Sequence, residues 1–257
     1  KTAFLAVLAG AFIAFGAVFS TLVTSGSELS FGLNKLMAGL AFSLGLILVV
    51  VGGAELFTGN NLITMAWAGR KVRFGQMMWN WTLVYFGNML GASSIVVLIL
   101  LSCHGLMGEG QVGSNILNIA QTKCQLGFMQ ALTLGILCNI LVCLAIWLCY
   151  SARSTEGKIL SIIVPITVFV AAGFEHSVAN MYFIPMGLVL KEWAPEGFWS
   201  LAALDPASFR DLNVSGYLWN NLLPVSLGNI IGGAGFVGLA YWFIYLRKTS
   251  ENQNLTS

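Results

Sequence analysis

Two glutamates and one histidine stand out because they sit where charge is costly. Glu55 lies in Gly52-Gly53-Ala54-Glu55-Leu56-Phe57-Thr58-Gly59-Asn60, and Glu175 in Gly173-Phe174-Glu175-His176-Ser177-Val178-Ala179-Asn180. Both stretches fall inside long apolar runs, and in both the glutamate is followed by four residues and then an asparagine. Ionisable groups at such depth face a cavity or a partner. His176, one of 2 histidines, reads in two ways. It is either a hydrogen-bonded structural residue of a helix bundle, or a donor and proton relay that meets a small anion and whose charge follows occupancy and pH.

The other polar residues carry paired readings as well. Glu55 and Glu175, if ionised toward a pore, would repel an anion. They are expected instead to support the chain where a helix breaks, accepting backbone N–H groups freed there. Asn139 and Asn180 either line a polar pathway or cross-link helices. Lys123 is either an interfacial anchor or a lure for anions. Asn88 and Asn229 sit in Gly87-Asn88-Met89-Leu90-Gly91 and Gly228-Asn229-Ile230-Ile231-Gly232, frames that suit close helix packing. His104 is expected to be solvated.

No catalytic signature accompanies these residues. H-E-x-x-H, G-x-S-x-G, the phosphate-binding G-x-x-x-x-G-K-[ST] and G-x-G-x-x-G do not occur in the sequence. Glu175 and His176 as a membrane-embedded catalytic pair is disfavoured, because adjacent helical residues diverge by about 100°. The reading is therefore a protein that is not an enzyme and needs no cofactor or metal. The paired Asn-Pro-Ala motif of water and polyol channels does not occur either.

Composition supplies the setting. Of 257 residues, 57% are hydrophobic and 9% charged, far below the roughly 25% charge of a soluble domain. That excludes a soluble globule and a disordered chain. A net charge of +2 with no basic stripe argues against nucleic acid. The fold class expected is all-α and polytopic, with lipid as the partner of its apolar surface.

Spans of about 20 apolar residues are read at Thr2–Val23, Leu36–Trp67, Gln76–Ser102, Gln125–Tyr150, Ile159–Leu190 and Leu222–Tyr245. The second and fifth are overlong and interrupted. Lys1, Arg70, Lys71, Arg73, Arg153, Lys158, Arg247 and Lys248 fall on one side; Lys35, Lys123, Lys191 and Arg210 fall on the other. The excess of basic residues predicts both termini in the cytoplasm. The opening at Lys1 carries no signal-peptide pattern, and the lack of an initiator Met predicts residues upstream.

The Glu-x-x-x-x-Asn and Gly-Asn-x-x-Gly pairs make spans one to three resemble spans four to six. Six transmembrane helices are thus expected as two inverted three-helix repeats, about 1–104 and 124–247, within a single channel domain 1–257. Helices 2 and 5 are expected to be broken near the midplane. Thr58 and Ser177 are the expected N-caps of the second half-helices. The two positive dipole ends would then converge on one place, which suits a small anion. Trp79, Trp81, Trp193, Trp199, Trp219 and Trp242 read as interfacial belt residues. The 5 cysteines read as small buried hydrophobes, with Cys103 and Cys124 able to pair across an outer loop. The sequons at Asn213 and Asn254 carry no weight.

Phe42-Ser43-Leu44-Gly45-Leu46-Ile47-Leu48, Gly53–Thr58, Gly173–Met181, Phe183-Ile184-Pro185-Met186-Gly187 and Gly228–Gly233 together resemble the formate/nitrite transporter family. The resemblance covers essentially the whole chain, and the Phe-Glu-His-Ser-x-Ala-Asn block is its specific part. It implies a homopentamer with a pore in each protomer, an aquaporin-like fold and a place in the bacterial inner membrane. The implied permeant is formate, with nitrite or hydrosulfide as the alternative; a water or polyol channel ranks lower. By position, Phe42, Leu46, Leu56, Phe57, Val142 and Phe169 resemble apolar constriction residues. Thr58 resembles a loop threonine that hydrogen-bonds the central histidine, here His176. Asn139, Asn180 and Lys123 resemble polar residues of the permeation path. The family's amphipathic N-terminal helix, linked to gating, would lie upstream of Lys1.

Overall fold

In lipid every backbone polar group must be satisfied within the protein, and the apolar runs of this chain meet that demand as helices. The structure is a computed structural model that describes residues 1–247. Lys248 and the Asn254 sequon lie outside them. In chain order the helices are α1 (Thr2–Thr24), α2 (Phe31–Gly52), α3 (Phe57–Asn60), α4 (Ile63–Ala68), α5 (Phe74–Leu101), α6 (Gln111–Cys124), α7 (Phe128–Ser151), α8 (Thr155–Ala171), α9 (Ser177–Trp193), the short α10 (Phe198–Leu201) and α11 (Gly216–Leu246). No strand occurs among the described residues.

Five helices are long and apolar enough to cross a bilayer: α1, α2, α5, α7 and α11. α8 and α9 have 17 residues each and are separated by a break. In α11 the turns widen to the π-helical pattern over Gly216–Leu222, Ile231–Leu239 and Trp242–Leu246. α1 packs between α2 and α5, α7 between α8 and α11, and α2 meets α8.

The Gly-Asn-x-x-Gly frames do bring helices close. A β-carbon on Gly91 would run into the Val7 carbonyl of α1, and one on Gly228 into the Leu132 carbonyl of α7. The second run breaks later than its midpoint. α2 continues to Gly52 and stops where Gly53 turns left-handed (φ 71°), a conformation that favours glycine.

α6 is an element the search for apolar runs does not reveal. Its sequence is mixed, but Val112, Ile116, Leu117, Ala120 and Cys124 recur on one buried face, and that face packs on α9. α6 matters because it places Lys123. All 5 cysteines are free, with Cys103 exposed and the others buried. The Cys103–Cys124 pairing is therefore not made. Trp81 is not a belt residue: it is buried and its Nε1 donates to Asn60 O at 2.9 Å. His104 is partly buried with a shielded Nε2, held inward by the turn His104–Leu106.

Candidate functional site

Two chain breaks bring the polar residues together. Each begins with a left-handed glycine, Gly53 (φ 71°) and Gly173 (φ 74°). In each, the glutamate N–H reaches a neighbouring helix: Glu55 donates to Leu5 O (3.2 Å) and Glu175 to Leu134 O (3.3 Å). An asparagine from a third helix then closes the gap. Asn88 Nδ2 donates to Ala6 O (2.7 Å) and Glu55 O (2.9 Å), and its Oδ1 accepts the Phe57 N–H (2.9 Å). Asn229 Nδ2 donates to Gly135 O (2.8 Å) and Glu175 O (3.0 Å), and its Oδ1 accepts the Ser177 N–H (2.9 Å). Both asparagines are fully buried. They are packing residues, as their frames suggest, and also the groups that make irregular backbone tolerable at this depth.

This arrangement corrects two expectations. Thr58 and Ser177 are not N-caps. Leu56 and His176 hold the extended cap conformation, so the caps fall one or two residues earlier. α9 is capped by the His176 ring, whose Nδ1 accepts the Ala179 N–H at 3.0 Å. The glutamates are not the acceptors of freed backbone N–H groups, since Asn88, Asn229 and His176 already take them. Glu55 Oε2 accepts instead from Asn60 Nδ2 (2.6 Å). Glu175 accepts from Lys123 Nζ (2.7 Å), Asn180 Nδ2 (2.6 Å) and Asn221 Nδ2 (3.0 Å). The convergent dipoles are unequal too: α9 has 17 residues and α3 only 4.

His176 and Thr58 meet across the breaks, with Nε2 2.9 Å from Oγ1. Because Nδ1 accepts a backbone N–H, the neutral ring carries its proton on Nε2. Nε2–H therefore donates to Thr58 Oγ1, and the Thr58 hydroxyl proton is left to donate elsewhere. With the Phe57, Ser177 and Ala179 N–H groups already engaged, that hydroxyl is a donor held ready at the centre, alongside the unpartnered Ser177 hydroxyl.

A cavity of about 560 Å³ leads to the His176 ring; Thr58 lies behind that ring, fully buried and outside the cavity wall. It runs from Ser20 and Thr24 near the end of α1 to Phe42, Phe169 and His176. Phe42 meets Phe169 edge-on at 5.6 Å and stacks on Phe183 at 6.3 Å, while Phe169 stacks on the His176 ring at 6.0 Å. Of the six apolar positions singled out, Phe42 and Phe169 line the cavity. Leu46, Leu56, Phe57 and Val142 are buried outside its walls. Phe57 packs edge-on against Tyr85 at 4.8 Å.

Lys123 reaches into the cavity and is not a surface anchor. Its side chain is 15% exposed, pairs with Glu175, and lies 5.3 Å above the Phe183 ring. The pair cancels the Glu175 charge beside the cavity. Asn180 lines the cavity. Asn139 does not: it is fully buried, and its Nδ2 donates to Asn229 O (2.7 Å), Asn61 Oδ1 (2.8 Å) and, more weakly, Thr58 O (3.3 Å). It cross-links α7, α11 and the first break.

Asn80 and Asn221 belong to the site but escape a reading of single motifs. Asn80 Oδ1 accepts from Asn60 Nδ2 (2.9 Å), as Asn221 Oδ1 does from Asn180 Nδ2 (2.6 Å). The signal lies in their spacing: each stands eight residues before the asparagine of its Gly-Asn-x-x-Gly frame.

A sequence profile described as "Formate/nitrite transporter" matches residues 1–243. The chain is 46% identical over 253 residues to the formate channel FocA of Escherichia coli (strain K12), spanning 98% of this chain and 89% of that protein. It is 43% identical over 244 residues to FocA of Haemophilus influenzae, spanning 95% and 85%. A solved structure of a pentameric formate channel with formate bound superposes with TM-score 0.91 at 47% identity, over 96% of this chain and 97% of that one. A second, an FNT family ion channel, superposes with TM-score 0.78 at 28% identity, over 94% and 89%.

Proposed function

This chain belongs to the formate/nitrite transporter family, and we propose that it is a formate channel of the bacterial inner membrane. It is a passage for a small monocarboxylate anion rather than an enzyme. We further propose that it assembles as a homopentamer with a pore in each protomer, as the relative described as pentameric suggests. The chain is one channel domain, with repeats at about 1–104 and 124–247 that insert in opposite senses. α8 and α9 together make the fifth of six spans. The matched contacts of Asn88 and Asn229 support that repeat. Both termini lie in the cytoplasm, as the distribution of basic residues favours.

The observation that carries the reading is His176 at the end of the cavity, next to Phe42 and Phe169, with buried Thr58 hydrogen-bonded behind its ring. An anion entering past the neutral Lys123–Glu175 pair must shed water at the apolar rings, which repel hydrated ions. The Thr58 hydroxyl then donates to a carboxylate oxygen, with the His176 Nε2–H behind it strengthening the donor. Asn180 and Lys123 line the approach. Leu46, Leu56, Phe57 and Val142 exclude water around the centre, and Asn139 holds Thr58 in place through its carbonyl. Nitrite and hydrosulfide are the rival permeants of the same path. The experiment is formate flux into liposomes holding the purified chain, with nitrite, hydrosulfide and acetate as competitors. Flux above empty liposomes with formate preferred supports the reading; preference for nitrite or hydrosulfide transfers it to that anion.

A further inference from the structure

The two breaks are built alike but not charged alike. Glu175, Asn180 and Asn221 on one side correspond to Glu55, Asn60 and Asn80 on the other, the asparagine bonding the glutamate and the second asparagine alike, while Asn221 adds a bond to Glu175 that Asn80 does not make to Glu55. Glu175 is buried and neutralised by Lys123 at 2.7 Å. Glu55 is partly exposed and belongs to no ion pair among the described residues. Its Oε2 takes the Asn60 amide at 2.6 Å, which orients the carboxylate without cancelling its charge.

The two glutamates also lie toward opposite ends. The cavity that holds Glu175 opens beside Thr24 and Lys35, whereas the Glu55 N–H binds Leu5 O. Leu5 and Thr24 are nineteen residues apart on one helix, about 28 Å at 1.5 Å per residue. Leu56, Phe57 and Thr58 follow Glu55 directly and are buried. The carboxylate therefore stands at the edge of the sealed centre, on the face away from Lys123.

We propose that Glu55 is a specificity-determining charge that makes the path electrostatically asymmetric, slowing the access of small anions from the Glu55 face relative to the Lys123 face. The inference rests on the reading of the chain as a small-anion channel. A single fixed charge within about 10 Å of the path, in a partly water-filled setting, changes an anion's rate of access by about threefold to tenfold. Salt at 1 M, with a screening length of about 3 Å, removes most of that.

The test compares initial anion uptake into right-side-out and inside-out vesicles bearing the full chain, for the unaltered protein, Glu55→Gln and Glu55→Asp. In the unaltered protein, uptake from the Glu55 face is expected to be at least about threefold slower at low salt, with the ratio collapsing toward one at 1 M salt. Glu55→Gln should bring the ratio near one at any salt. Glu55→Asp should keep the asymmetry, which a purely structural role of Glu55 does not require. An unaltered ratio near one at low salt overturns the proposal, and so does a ratio in Glu55→Gln equal to that of the unaltered chain. Formate and nitrite are run in parallel: no formate uptake with intact nitrite uptake overturns the formate reading, and the nitrite ratio then decides the role of Glu55. Uptake of neither anion overturns both.

Discussion

Thr58 Oγ1 lies 2.9 Å from His176 Nε2, although 118 residues separate the two. The ring is clamped on its other side by the Ala179 N–H, so its Nε2 proton points at the threonine and the threonine's own proton points away. Thr58→Val keeps the shape and removes that proton. Formate flux in liposomes is expected to fall by about tenfold or more, as loss of a hydrogen bond to a charged group implies (about 1.5–3 kcal/mol). Thr58→Ser should retain most of it.

His176 holds both the centre and the cap of α9. His176→Asn preserves a capping side chain but loses the ring that stacks on Phe169. Formate flux measured against pH should change in size and in profile. An unchanged profile would show that the imidazole does not follow pH in the transport step.

Lys123 and Glu175 form a pair with little exposure, so removing one partner leaves an uncompensated charge. Lys123→Met should lower anion flux sharply and cost about 3–5 kcal/mol in stability. Glu175→Gln in the same chain should recover part of both, and the double-mutant cycle of flux and thermal midpoint measures the coupling.

Asn229 satisfies three backbone groups at the second break. Asn229→Leu strands the two at the break, the Ser177 N–H and Glu175 O, at about 1–3 kcal/mol for each buried group; Gly135 O keeps its place in the α7 ladder. The expected result is a large drop in the thermal midpoint in detergent, matched by Asn88→Leu. A surface change such as Trp79→Phe, at a side chain 68% exposed, should leave the midpoint nearly unmoved.

The all-helical fold and both breaks are legible in the sequence for a physical reason: charge and amide groups are costly in lipid, so the few at depth mark the places that need them. Glu55, Glu175, His176 and the two framed asparagines stand out on that ground alone. Partners were less legible. Freed backbone N–H groups look as though they should go to the nearest carboxylates, Glu55 and Glu175, yet they go to Asn88 and Asn229, which arrive from helices distant in the chain. α6 is hard to read because its polar face masks its apolar one, and the inward reach of Lys123 is hidden with it. Trp81 reads as a belt residue because tryptophan type alone does not reveal that Asn60 O accepts its N–H.

The most direct test of the central claim is the initial rate of labelled formate uptake into liposomes holding the purified chain, measured for the unaltered protein and Thr58→Val side by side. The account predicts uptake well above that of empty liposomes for the unaltered chain and a loss of about tenfold in the variant. Equal uptake by the two proteins, or no uptake above empty liposomes by either, would contradict it.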